Sequence, residues 1–172
     1  MKKLIIILIF FFSQINFGIA NTDIVFVDMD IIMNKSKAGV SILNQLKKKN
    51  DLISKNFKND EKKLKDKENK LVAQKNILSD EEFKLNVSKL KLEINDFNKN
   101  RNNLINNFNK LKIDYRNKML KLVNLILIKY SDERSISLIL SKKNLVIGIA
   151  ELDVTDEIIK IVNTEIKEFK IE

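Results

Sequence analysis

The chain has 172 residues, carries 32 Lys and Arg against 23 Asp and Glu for a net charge of +9, and contains neither cysteine nor histidine. Those two absences exclude disulfides and Cys-His or Ser-His-Asp nucleophilic chemistry, and they leave carboxylates as the only side chains for a metal. Proline is also absent and glycine occurs three times, so the chain has few places to turn and reads as long helices with a small remainder.

Lys2 and Lys3 precede an apolar run over residues 4–12, and Gly18-Ile19-Ala20 supplies small residues after it. This order predicts a secretory signal peptide over residues 1–20, cut after Ala20. A membrane-spanning helix needs about 20 apolar residues, which this run does not reach, so the mature chain is expected to be exported and soluble.

Ile24-Val25-Phe26-Val27, bounded by Asp23 and Asp28, predicts a short buried strand. Asp28-Met29-Asp30 follows, and an apolar strand ending in Asp-x-Asp matches the first motif of haloacid-dehalogenase phosphatases, in which one carboxylate attacks phosphate. That chemistry needs a doubly wound sheet with further motifs on later strands, and the next hundred residues are helical in pattern. Asp30 is therefore read as a helix N-cap or turn residue, and no enzymatic activity, cofactor or metal site is expected.

After Ser36-Lys37-Ala38-Gly39 a heptad pattern begins. Its first seam is Leu43, Leu46, Asn50, Ile53, Phe57, Asp60, Leu64, Lys67 and Leu71, with three polar members. Ser79-Asp80-Glu81-Glu82 forms a capping box that opens a second helix. The second seam is Phe83, Val87, Leu90, Ile94, Phe97, Arg101, Leu104, Phe108, Leu111, Tyr115, Lys118, Leu122 and Leu125. A 3.5-residue repeat held this long predicts a helix with one side against a partner helix. The short break at residues 76–79 favours an antiparallel hairpin, giving a projecting arm over residues 41–129. Leu85, Leu92, Ile113 and Leu120 recur at multiples of seven on the side away from the seam, as outward apolar positions.

The arm holds 22 Lys and Arg against 11 Asp and Glu, while the remainder of the mature chain holds 8 against 12. Lys accounts for 29 of the 32 basic residues, and compositional drift would raise Lys everywhere, but it does not explain this segregation. A basic arm on a slightly acidic body attracts acidic partners in a salt-dependent way. Lys47, Lys48 and Lys49 form one cluster within that field.

Beyond residue 129 the period changes. Residues 135–140 and 145–150 are β-rich and joined by Ser141-Lys142-Lys143-Asn144, which predicts a β-hairpin. Thr155 is expected to cap a final helix with Ile158, Ile159, Val162 and Ile166 on one face. The body therefore comprises residues 21–40, as first strand and linker helix, and residues 130–172. Three strands and one short helix make a small core, so its sheet is expected to be completed in an oligomer.

Taken in order after a signal peptide, these features resemble one family along the whole mature chain: the periplasmic chaperones called Skp or OmpH. The resemblance rests on the strand over residues 24–28, Ser36-x-Ala38-Gly39, the basic hairpin with Leu78-Ser79-Asp80-Glu81-Glu82-Phe83 at its turn, Leu138-Ile139-Leu140, residues 146–150, and Leu152-Asp153-Val154-Thr155-Asp156-Glu157-Ile158-Ile159. It implies an α+β, mostly helical fold, and a jellyfish-like homotrimer with a β-rich trimerisation body and three long antiparallel coiled-coil hairpin arms. It further implies an ATP-independent periplasmic holdase that keeps unfolded outer-membrane proteins from aggregating in the cavity between those arms. On that reading Lys47, Lys48, Lys49, Leu85, Leu92, Ile113 and Leu120 are the candidate client-binding residues, and Val25, Val27, Leu138, Leu140, Val146, Ile147 and Ile149 the candidate trimer body. Anionic lipid or lipopolysaccharide is a further partner of the positive field, with no site residues carried over because these arms are rich in Asn and Lys and poor in Arg. Nucleic acid is set aside by the export signal. The competing reading is a structural coiled-coil adaptor in the cell envelope that binds one folded partner.

Overall fold

The computed structural model describes residues 23–166 and 169–171; the signal-peptide reading of residues 1–20 lies outside them. Strand β1 (Asp23–Val27) leads into a short helix α1 (Met29–Lys35), and two long helices follow, α2 (Lys37–Ala73) and α3 (Asp80–Arg134). Strand β2 (Ile136–Ser141) comes next, then two 3₁₀ turns (Lys142–Asn144 and Ala150–Leu152) and helix α4 (Thr155–Glu165). β1 and β2 pair in parallel, with Ile24 opposite Leu138 and Phe26 opposite Leu140. A parallel pair requires a crossover, and here the whole helical hairpin is that crossover.

Local chemistry sets the breaks. Asp28, not Asp30, is the N-cap of α1: its carboxylate accepts from the Ile31 N–H at 2.9 Å, while Asp30 lies in the first turn. Ser36 both ends α1 and caps α2, accepting from the Gly39 N–H at 3.2 Å. Gly39 is required by proximity, since a Cβ there would lie 1.8 Å from the Met33 carbonyl oxygen. The arm's first helix thus starts inside the body, four residues before the sequence boundary at 41, and α3 runs five residues past 129.

The capping box at Ser79 and Glu82 is present in both directions, and it opens α3 as the sequence predicts. α2 already ends at Ala73, so the turn spans residues 74–79. Leu46 and Ile113 border one cleft, Phe57 meets Phe97 and Arg101, and Lys67 pairs with Glu93, so partners on α3 fall as positions on α2 rise. The hairpin is antiparallel. With 55 residues, α3 is about 80 Å long.

The second seam holds its 3.5-residue register only as far as Tyr115. Lys118 and Leu125 are not enclosed, and the buried positions are instead Met119, Val123, Ile126 and Tyr130. In the arm α3 meets one helix, which favours the heptad. In the body it meets α1, α4 and the sheet, and the stripe follows the natural drift of a straight helix. These four residues join Val27, Ile32, Ala38, Ile42, Ile158 and Val162 in one core.

Two other expectations are corrected. The predicted β-hairpin does not form: residues 142–144 make a 3₁₀ turn, and residues 145–149 have no regular structure. That segment folds back across β1, where Gly148 lies so close to the Phe26 ring that a Cβ would be 2.7 Å from it. The chain then continues along β1, with the Val154 N–H donating to the Phe26 carbonyl at 3.0 Å. Thr155 is the first residue of α4 and not its cap. Asp153 accepts from its N–H and hydroxyl, and the Thr155 hydroxyl accepts from the Asp28 N–H at 2.8 Å, tying α4 to the end of β1.

Candidate functional site

The arm is the feature with surface to spare. From Leu43 to Lys118 no residue is buried, so each side chain there either borders the single seam or faces solvent. The polar seam members find partners within that geometry. Arg101 lies over the Phe57 ring at 5.7 Å while donating to Glu61 at 2.8 Å, and Phe57 meets Phe97 edge-on at 6.1 Å. Lys67 reaches Glu93 at 2.5 Å across the hairpin, whereas Asp60 pairs along its own helix with Lys63.

Those pairs, with Lys65–Glu68, engage four of the arm's 11 acidic residues, and all of them are exposed. The basic excess is unaffected by such pairing, so the arm keeps its positive field. Lys47, Lys48 and Lys49 lie together on α2 near the root, and the side of the helix they occupy is open to solvent. At the tip, the Ser79 hydroxyl and then its backbone N–H hold the Glu82 carboxyl below its usual range.

The outward apolar positions divide into two places. Leu85, Leu92 and Ile113 are exposed, and Leu120 is half-buried at the body. Leu85 and Ile113 lie about 42 Å apart along one helix, so the set is a line and not a pocket. Leu46 and Ile113 border one cleft at the root, which puts the lysine cluster beside Ile113 and far from Leu85 and Leu92. Leu52, Val72 and Ile77 are also exposed. Heptad reasoning misses them, although a signal existed for each, an apolar residue off the heptad. At mid-arm a cleft of about 650 Å³ opens between the helices, bordered by Leu52, Phe57, Phe97 and Leu104 and rimmed by asparagines.

The body carries its own apolar surface. Val146, Ile147 and Ile149 are exposed, Val146 fully so, and Leu138 is half-exposed on β2. Leu140 is half-buried, whereas Val25 and Val27 lie within the chain's own interior. Elsewhere in the body, polar contacts hold α3 to α4. The Tyr130 hydroxyl donates to Glu157 at 2.6 Å, and Arg134 pairs with the same carboxylate while stacking 4.5 Å from the Tyr130 ring. Burial, followed by the Glu157 hydrogen bond and charge, pushes the Tyr130 phenol up to about 12. The Tyr130 hydroxyl is in turn the main reason that Glu157 stays below its usual carboxylate range. Lys142 pairs with Asp153 at 2.7 Å and lies 5.7 Å from the Phe26 ring. Among the described residues no cluster of acidic side chains is arranged to hold a metal, and no helix is long and apolar enough to cross a membrane.

The profile of the OmpH-like outer membrane protein family matches residues 23–162, which covers β1, the entire arm, β2 and most of α4. The chain belongs to the OmpH-like family. A candidate OmpH-like outer membrane chaperone from Caulobacter crescentus CB15, known from its crystal structure, superposes with a TM-score of 0.83 at 13% identity, covering 90% of this chain and 92% of the other. At that identity the likeness speaks for the fold alone. No curated protein matches the chain in sequence.

Proposed function

We propose that this OmpH-like protein is an exported, ATP-independent holdase that binds unfolded outer-membrane proteins in the periplasm and keeps them from aggregating. The observation that carries the reading is the arm between Leu43 and Lys118, which has no buried residue and combines 20 basic against 11 acidic side chains with exposed Leu52, Val72, Ile77, Leu85, Leu92 and Ile113. Long-range charge draws a polypeptide in, and scattered apolar contacts hold it weakly and without sequence preference.

The working form is a homotrimer. A two-stranded sheet is marginal by itself, and a segment as apolar as residues 145–149 rarely stays exposed without a partner. Leu138, Leu140, Val146, Ile147 and Ile149 supply the contact between copies, with Val25 and Val27 supporting it from inside each chain. Three arms then surround the space in which a client is held. The same positive field extends to anionic lipid or lipopolysaccharide as a secondary partner.

Light scattering after diluting a urea-denatured β-barrel protein tests this reading. The holdase suppresses aggregation in the absence of ATP, in proportion to its amount. Undiminished aggregation at excess protein would favour the envelope adaptor instead.

A further inference from the structure

The chain's last described residues, Phe169, Lys170 and Ile171, do not extend α4. They lie across the root of the arm, in contact with both of its helices. On α2, the Gln45 side-chain amide donates to the Phe169 carbonyl at 2.5 Å and accepts from the Ile171 N–H at 2.9 Å. One amide thus engages the backbone on both sides of Lys170, as a neighbouring strand would, and it reads no side chain in doing so. On α3, the Tyr115 ring meets the Phe169 ring edge-on at 6.3 Å, and its hydroxyl approaches the Lys170 carbonyl at 3.4 Å. Lys118 lies 5.4 Å from the same Phe169 ring. Phe169, only 7% exposed, is a member of the core cluster, and Ile171 packs against that core.

We propose that this C-terminal tail is a releasable latch on the arm, with Gln45 as its catch: docked, it holds α2 and α3 to the body, and undocked, it frees the root of the arm to move. Three features let the tail act as a latch even though Phe169 reaches the core. Gln45 and Tyr115 both hydrogen-bond to the tail's backbone, and the described tail residues belong to no strand whose pairing must break. Helix α4 is anchored independently by Ile158 and Val162, both fully buried, so it remains in place when the tail leaves. The tail also bridges the two helices where the seam gives way to the body, next to Tyr115 and Met119, where a small rotation becomes a large displacement at the tip. The lysine cluster begins two residues beyond Gln45, so release changes the setting of that cluster as well. Latching does not depend on what the arm carries.

Hydrogen exchange on the full-length mature protein tests it, with three variants: Gln45→Ala, Phe169→Ala, and truncation after Ile166. A latch predicts exchange about three- to tenfold faster at residues 41–50 and 112–120 in all three. It also predicts unchanged exchange in β1 and at the Ser79 turn, and no further increase when Gln45→Ala is added to the truncation. Unchanged exchange at the root after truncation would overturn the proposal, because the tail would then restrain nothing. Equal acceleration in β1 and α4 would overturn it too, by showing that loss of the tail loosens the whole body and not the root alone. An additive effect of Gln45→Ala on the truncated chain would show that Gln45 acts elsewhere, and would remove it as the catch.

Discussion

The body and the arm use the same kinds of apolar residue for opposite ends. In the body, Ile32, Met119, Val123, Ile158 and Val162 are fully enclosed, because α1, α3, α4 and the sheet converge on them from several sides. In the arm, Ile53, Leu64, Leu90 and Ile94 border a single seam, and none is buried. Two helices side by side can cover only one stripe of each other, whatever their sequence. Enclosure gives the body its stability, and the lack of it leaves the arm an open, charged surface for other molecules.

The sharpest way to break that contrast is a matched pair of truncations. Ile158→Ala in the body removes a fully enclosed side chain and is expected to cost about 2–5 kcal/mol. Leu104→Ala in the arm removes one that is already 45% exposed, and the expected cost is about 1 kcal/mol or less. Thermal or denaturant unfolding of the two variants measures both. Equal losses would mean that the arm is packed as tightly as the body.

Alkaline pH probes the contact of α3 with α4 in the body through a single phenol. The Tyr130 phenol ionises near 12 when folded against an ordinary value of 10.0. A raised folded value contributes stability that is fully present below pH 10 and lost as the pH climbs through about 12. Tyrosinate absorbance should show this group titrating late, and Tyr130→Phe should remove that part of the alkaline loss. The carboxylates of Glu157 and Asp153 behave in the opposite sense. The hydrogen bond from Tyr130 lowers Glu157, while for Asp153 burial works upward and is outweighed by Lys142 and Thr155. Their contribution is present above the ordinary carboxylate values and lost as the pH falls through the folded ones, so acid loosens the contact of α4 with β1 and α3.

On the arm, charge and apolar contact can be probed separately, because Lys47, Lys48 and Lys49 lie near the root while Leu85 and Leu92 lie towards the tip. Reversing Lys47, Lys48 and Lys49 to Glu is expected to slow association of a denatured barrel protein about tenfold at low salt and to flatten its salt dependence, with dissociation little changed. Changing Leu85 and Leu92 to Ser is expected to speed release a few-fold, about two to five, with the salt slope intact. Stopped-flow binding at several salt concentrations distinguishes these effects. The smallest expected change is in the arm's own ion pairs. Both side chains of Lys67–Glu93 are about half exposed, so a double-mutant cycle should return no more than about 1 kcal/mol.

Much of this architecture was legible because periodicity and capping are local properties. The heptads, the box at Ser79 and Glu82, and the apolar β1 each follow from residues a few positions apart. Departures arose where distant segments decide the outcome. Leu125 fits the heptad but is exposed, since the body changes which face of α3 is covered. Residues 145–149 have strand composition, yet in the single chain they cross β1 at Gly148 and pair with nothing regular. The placement of Asp28, Asp153 and Thr155 depended on a contact between residues 127 positions apart, which no local pattern carries. The surface followed the same division: Lys47–Lys49 and Leu85 were readable from charge and spacing, whereas the clamp of Gln45 on the tail was not.

In the proposed function, the body assembles copies while the arms hold an unfolded client. Native mass measurement of the mature protein, alone and mixed with a urea-denatured outer-membrane barrel, tests it most directly. A trimer is expected in the first sample and a trimer carrying bound barrel in the second. A folded monomer at micromolar concentration, or a trimer that leaves the barrel unbound, would contradict it.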